Sequence, residues 1–335
     1  VKTKVLKIDD LKKDKARIEL AAKAIKAGKL VAFPTETVYG LGADATNKEA
    51  VKKIFKAKKR PGDNPLIVHI CNTSQLNEIA IDINSQARKL MKKFWPGPLS
   101  LVLNKHPKLP KEVSARLETV VVRFPSHKVA EMLIKLSGCP IAAPSANTSG
   151  GVSPTRASHV LEDMAGKIPI ILEDDRVEFG LESTVVDCTT EVPVILRPGS
   201  LTLEELRKVI PTIMNNPQSS HRSPGMKYAH YAPIAPITLF VGPESLTAKK
   251  ITETLKELKE DETLLMWHTG NFANKKFNFR LPANSYEAAS QLFSSLRSAN
   301  ELPIKTILIQ GYPRDGIGDA IMNRLEKAST KIIEV

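Results

Sequence analysis

Only three cysteines, Cys71, Cys139 and Cys188, occur in 335 residues, and they lie far apart. An odd count without a CxxC pair argues against both a disulfide framework and a cysteine-held zinc, and fits a reducing compartment. Aromatic residues are few as well: two tryptophans, five tyrosines and ten phenylalanines, with no cluster on which successive bases could stack. No apolar run approaches the roughly 20 residues that span a bilayer. The first ten residues hold Lys2, Lys4, Lys7, Asp9 and Asp10 where a signal peptide would have an apolar core, so a cytoplasmic protein without membrane contact is expected. A Walker A motif and internal repeats are missing too. Ser145 stands outside any GxSxG elbow, which argues against a hydrolase nucleophile.

Positive charge is what the chain has in excess: 49 Lys and Arg against 36 Asp and Glu, a formal net charge of +13. Such a field favours polyanionic partners, nucleotides or RNA, without choosing between them. Apolar residues at 42% and charged residues at 25% are ordinary for a globular protein, and the length exceeds a single core. A larger domain is expected over 1–209 and a smaller one over 237–335. The segment 210–236 joins them, its regular pattern broken by Asn215, Asn216, Pro217, Ser219 and Ser220. Within it, Ser223-Pro-Gly-Met-Lys-Tyr-Ala-His-Tyr231 carries too many functional side chains for a spacer, and a lid is the expected role. Beyond it, strands at 237–241, 263–267 and 305–310 alternate with helices at 246–260 and 286–299, the pattern of a parallel α/β domain.

Around Lys58-Lys-Arg-Pro-Gly-Asp-Asn64 the rest of the chain is organised. The stretch follows a helix expected over 48–58 and precedes the apolar strand 66–71, so three cations sit where the chain enters a sheet. Arg offers a planar fork of donors and Lys a mobile point charge, a combination suited to phosphates. A basic helix end followed by a turn would look similar, so the neighbours decide. Pro34-Thr-Glu-Thr-Val-Tyr-Gly-Leu-Gly-Ala-Asp44 reads as a loop rich in hydroxyls after the short strand 30–33. Gly40, Gly42 and Ala45 formally match GxGxxG/A, but Gly40 lies too far beyond Phe33 for a dinucleotide turn. His69 sits on an interior strand, either as a core histidine or as a ligand. In Thr119-Val-Val-Val-Arg-Phe124, alternation puts Thr119, Val121 and Arg123 on one face, where a buried arginine is costly unless it meets an anion. A second hydroxyl-rich loop, 140–151, follows the helix 128–137. The expected strand 192–196 ends in Arg197-Pro-Gly-Ser200, placing another cation at a strand end. Asp174 and Asp175 read as a solvated turn, and no metal held by protein ligands alone is expected.

Lys58/Arg60 form a KxR pair and Ser145/Asn147 an SxN pair. With the Pro-Thr-Glu-Thr-Val-Tyr-Gly-Leu-Gly loop, the linker and Gly316-Ile-Gly-Asp-Ala-Ile-Met-Asn-Arg324, they make the chain resemble the YrdC-like family in its two-domain threonylcarbamoyl-AMP synthase form. The resemblance implies a twisted mixed sheet with helices around a basic concavity in a catalytic domain, and a Rossmann-like second domain. It implies that L-threonine, bicarbonate and ATP give threonylcarbamoyl-adenylate and pyrophosphate, for a downstream tRNA threonylcarbamoyl transferase complex; a weak tRNA contact is left open. By the same resemblance Lys58, Arg60, Asn64 and Arg197 hold ATP, with Thr119, Ser145, Asn147 and Ser153 assisting and Mg²⁺ carried on the phosphates. His230 and Tyr231 are expected to close over the nucleotide. Thr35, His69, Arg123, the backbone at Ala143, and Ser183 are expected to hold threonine. A non-catalytic RNA-binding module is the rival from another class. Carbamoyl transfer from carbamoyl phosphate is the rival within enzymes, but this chain lacks the cysteines of the zinc fingers that accompany it.

Overall fold

A computed structural model describes residues 1–174, 177–215, 230–272 and 274–335. Asp175 and the linker stretch from Ser223 to Ala229 lie outside them. The chain divides into two compact units. Val1–Ser149 and the stretch from Ser153 to Asn215 make the first; Gly150–Val152 and the stretch from His230 to Val335 make the second.

In the first unit the strands are β1 (Lys4–Lys7), β2 (Val31–Phe33), β3 (Gly40–Asp44), β4 (Ile67–His69), β5 (Ala80–Ile81), β6 (Leu99–Lys105), β7 (Thr119–Arg123), β8 (Ile141–Ala142), β9 (Ile170–Glu173), β10 (Thr184–Asp187), β11 (Val194–Arg197) and β12 (Met214–Asn215). They form one mixed sheet in the order β1-β9-β2-β3-β8-β4-β7-β6-β10-β11-β12, with β5 on β6. The pleat sorts the central strands. Val68, Leu101, Leu103, Val120 and Val122 enter the main core with Leu41, Ile54 and Leu90. Ile67, Val102, Val121, Val185 and Leu196 gather in a separate apolar strip on the opposite face. Because side chains alternate with period two, Thr119, His69, Arg123 and Ser100 share the face of that strip.

Helices Lys15–Lys26 and Lys128–Ser137 pack Ile18, Ile25, Leu133 and Ile134 against Phe33 and Ile141. The helical spacing of Ile18, Ala21, Ala22 and Ile25 predicts the first of these helices over 10–28, but it starts only at Lys15. Asp10 accepts from the Lys12 and Lys13 amides, and Asp14 from those of Asp9 and Asp10, so local turns win over helix there. Helix Lys48–Lys58 is capped by the Asn47 side chain, and stops at Lys59 in the left-handed region at φ 53.

Residues 34–44 are not one loop. Gly40–Asp44 is β3, paired antiparallel with β2 and β8. Glycine hides the strand signal, yet a Cβ at Gly42 would lie 2.8 Å from both Ile141 Cγ2 and Phe33 Cε1, so only glycine fits the packed pair. Edge strand β1 and helix Ala157–Met164 also escape the sequence pattern, β1 because its lysines leave it largely exposed.

In the second unit, β13 (Ile237–Val241), β14 (Thr263–Trp267), β15 (Phe277–Arg280), β16 (Thr306–Gln310) and β17 (Lys331–Glu334) form a wholly parallel sheet in the order β15-β14-β16-β13-β17. Phe240, Leu265, Trp267 and Leu308 build its core against Ile251 of helix Glu244–Leu255. No described helix is long and apolar enough to cross a membrane.

Candidate active site

The loop after β2 is held by its own hydroxyls. Thr35 Oγ1 donates to the Val38 carbonyl (2.6 Å) and accepts from the Thr37 and Val38 amides, while Tyr39 Oη donates to the Asp174 carbonyl (2.8 Å). So anchored, the loop presents Glu36 and Thr37 to Arg123 at the end of β7. Arg123 Nη1 donates to Thr37 Oγ1 (2.8 Å), Nε faces the Gly97 carbonyl (3.4 Å), and Nη2 lies 2.8 Å from Glu36 Oε1. That last contact is an ion pair by distance, but its N–H directions miss the oxygen. Arg123 Nη2, Glu36 Oε2 and His69 Nδ1 are all buried and, among the described residues, make no hydrogen bond. His69 is the strand partner of Arg123 across β4 and β7.

Buried polar groups in this state are rare, because each forfeits its hydration without recompense. Three such atoms lie together here, a cluster that a ligand with donors and acceptors of its own would satisfy. Burial, then the Arg123 charge, pushes the His69 pKa down to about 3 from its ordinary 6.5, so the ring is neutral at physiological pH. Burial opposes ionisation of Glu36, but the Arg123 charge and the Ser126 amide outweigh it and hold its pKa below the ordinary 4.5.

A pH prediction follows for His69. The unfolded chain takes up the proton from about pH 6.5 downward, whereas the folded chain refuses it until about pH 3. Between those values the unfolded state binds more protons, so stability falls as the pH drops, by up to about 1.4 kcal/mol per pH unit. Denaturant melts at pH 6.5 and 4.5 should show a smaller acid loss for His69→Gln than for the wild-type chain. Equal losses would mean that His69 titrates normally.

The other predicted residues lie on neighbouring loops. Buried Lys58 donates through Nζ to the Ser145 (2.5 Å) and Asn147 carbonyls, joining the KxR loop to the SxN loop. Ser145 Oγ donates to Asn147 Oδ1 (2.5 Å), and Asn147 Nδ2 to the Thr148 carbonyl. Arg60 folds over its own loop, with Nη2 to the Pro65 carbonyl (2.9 Å) and Nε to that of Asn64 (3.3 Å). Arg197, at the end of β11, donates through Nη2 to the Ser183 carbonyl (2.9 Å), and Ser183 Oγ meets Ser100 Oγ at 2.7 Å. Ser153 Oγ donates to Glu182 Oε1 (2.6 Å), and the Ala143 amide donates to the Ile67 carbonyl (2.8 Å). Thr119 lies half-buried at the start of β7.

Lys58, Arg60, Arg123 and Arg197 are the buried cations among the described residues of this unit. All four stood out in the sequence. Glu36, Thr37, Ser100, Glu182 and the apolar strip did not. Glu36 sits between two threonines in a run taken as a loop, and the strip could have been found from the alternation around Val121. Tyr231 lies in the second unit, its ring stacked on Phe293 (centroids 5.4 Å) with the Arg324 guanidinium 5.5 Å over it, and His230 beside it. Among the described residues no group of three or more His, Cys, Asp or Glu could hold a metal.

A broad twisted mixed sheet with loops crossing one face, followed by a parallel α/β unit, defines a YrdC-like protein of the two-domain type. The chain belongs to the Sua5/YrdC family: residues 23–199 match Sua5–YciO–YrdC, described as Telomere recombination, and 201–330 match the threonylcarbamoyl-AMP synthase C-terminal domain. Threonylcarbamoyl-AMP synthase of Pyrococcus abyssi is 46% identical over 95% of this chain and 96% of its own length. The Bacillus subtilis protein of the same name is 42% identical over 96% and 95%. Among solved structures, P. abyssi Sua5 complexed with L-threonine superposes with a TM-score of 0.94 at 45% identity, covering 99% of this chain and 100% of that one. Escherichia coli YciO, at 21% identity and a TM-score of 0.52 over 59% of this chain and 96% of its own, shares the fold.

Proposed function

We infer that this chain condenses L-threonine, bicarbonate and ATP to L-threonylcarbamoyladenylate and pyrophosphate, as a nucleotidyltransferase acting at the first step of tRNA threonylcarbamoyladenosine formation. The observation that carries this is the buried set of Arg123 Nη2, Glu36 Oε2 and His69 Nδ1, a donor beside acceptors, in a chain whose relatives bear the name of that enzyme. A carboxylate on Arg123 would supply the acceptor that Nη2 lacks, as a charge-assisted pair. Thr35, Ala143 and Ser183 complete the threonine site in this reading.

Threonine must exchange its ammonium protons for a carboxyl group. With bicarbonate the balance is R–NH₃⁺ + HCO₃⁻ giving R–NH–COO⁻, water and one proton. A carbamate oxygen then attacks the α-phosphorus of ATP and pyrophosphate leaves. No protein nucleophile is required, so the protein's work is to align two anions and offset their charge. Lys58, Arg60 and Arg197 with Asn64 take the phosphates, Mg²⁺ arrives with ATP, and Thr119, Ser145, Asn147 and Ser153 donate around it. The apolar strip of Ile67, Val102, Val121, Val185 and Leu196 offers a floor for the purine. His230 and Tyr231 are assigned to the nucleotide by resemblance.

We also read 1–209 as the catalytic domain, 210–236 as its lid and 237–335 as the Rossmann-like domain. The free cysteines suit the cytoplasm. A tRNA threonylcarbamoyl transferase complex would be the consumer of the adenylate, and direct tRNA contact is secondary. Pyrophosphate release tests the function, with ATP and Mg²⁺ present, threonine and bicarbonate omitted in turn, and serine replacing threonine. Release should need both substrates and favour threonine. ATP binding with no release under any combination would sink the synthase and favour the RNA-binding module.

A further inference from the structure

Glu36 has no task in the reaction as written, yet its carboxylate is held beside Arg123. Its Oε1 accepts from the Ser126 amide (3.1 Å) and lies 2.8 Å from Arg123 Nη2, and its main-chain carbonyl accepts from the amides of Glu178 and Phe179. Both members of the pair are only 4% exposed. The pocket charge is therefore close to zero: one guanidinium, one carboxylate, and a neutral His69.

Resting on the threonine reading above, we propose that Glu36 is a specificity-determining residue that restricts the Arg123 site to zwitterionic α-amino acids. A lone buried guanidinium would attract any carboxylate. Paired with Glu36, it offers a net-neutral ion pair whose Nη2 and Oε2 carry no hydrogen bond among the described residues, matching a carboxylate and an ammonium on one carbon. A carboxylate without the ammonium meets Glu36 as a like charge, and repulsion is what excludes it. An amine without the carboxylate leaves Arg123 unpaired.

The test measures equilibrium binding to the full chain of L-threonine, its deaminated analogue 3-hydroxybutanoate (net −1) and threoninol (net +1). At an effective dielectric near 20, one like-charge contact at about 5 Å corresponds to a discrimination of up to roughly a few hundred-fold. The wild-type protein should prefer threonine over both analogues by at least ~10-fold. Glu36→Gln preserves shape and an acceptor for Ser126. It should weaken threonine and strengthen the anion so that the preference shrinks below ~3-fold, with ATP binding unchanged as proof of folding. Glu36→Asp keeps the charge and should retain the preference even where both affinities drop.

Wild-type discrimination below twofold against the deaminated analogue overturns the proposal whatever the variants do. So does an unaltered preference in a Glu36→Gln protein that binds ATP. Arg123→Gln separates the two levels. If it leaves threonine binding intact, the threonine site itself is misplaced and the proposal falls with it; if it abolishes threonine binding while Glu36→Gln keeps the wild-type ratio, only the role of Glu36 fails.

Discussion

Lys58→Ala and Arg60→Ala should each lower pyrophosphate release on the order of 10³-fold while the chain remains folded, as expected when a cation that offsets phosphoryl charge is removed. Lys58 acts twice. Its ammonium brings charge to the site and also ties the Ser145 and Asn147 carbonyls to the helix that ends at Lys58. Losing it leaves two carbonyls short of a partner, at about 1–3 kcal/mol each if they stay dry. Lys58→Ala should therefore also lower the melting temperature. Arg60 donates to the Asn64 and Pro65 carbonyls of its own loop, and Arg60→Ala should bring a similar loss of turnover. Raising ATP tenfold should rescue neither variant if the cations act on the transition state rather than on binding alone. Wild-type turnover in both would remove the KxR pair from the mechanism.

The second large effect is structural. A Cβ at Gly199 would come to 2.4 Å from the Thr184 nitrogen, 2.5 Å from the Glu182 oxygen and 2.5 Å from the Ser183 carbonyl carbon. All three are backbone atoms, so no rotamer change relieves the clash, and Arg197-Pro-Gly-Ser200 must move away from the segment that enters β10. Arg197 would then lose Ser183, so a proposed nucleotide ligand and a proposed threonine ligand would fail together. Gly199→Ala should cost roughly 3 kcal/mol or more, a drop of about 6–12 °C in Tm for a unit of this size, and activity should fall with it. Gly62 has nothing within 4 Å of its would-be Cβ and should accept alanine with Tm unchanged. A Gly199→Ala protein with the wild-type Tm and turnover would show that the loop gives way at no cost.

The residues themselves announced the strands around Val68, Val102 and Val121, because alternating apolar residues leave few other ways to bury them. The same alternation placed Arg123 on the face opposite Val120 and Val122, where it is found. Strands without that signal escaped: β3 because Gly40 and Gly42 contribute no side chain, and β1 because an edge strand can keep its lysines in water. Among the site residues, the cations were legible since a buried charge demands an explanation wherever it occurs. Glu36 was not legible, because a carboxylate in a hydroxyl-rich run looks like any solvated turn until Arg123, 87 residues on, is seen beside it.

By itself the sequence determined which groups are available: two cations at a helix end and its following loop and two at strand ends, hydroxyls and amides in two loops, and a second domain of alternating strands and helices. Composition and local periodicity are properties of the chain alone, and no folding is needed to read them. Only the tertiary structure decided which groups meet. It set Lys58 against the carbonyls of Ser145 and Asn147, Arg197 against Ser183, and the Glu36 carboxylate against Arg123. Such pairings span 14 to 89 residues and arise from the sheet order, which packing over the whole core selects and no local pattern encodes.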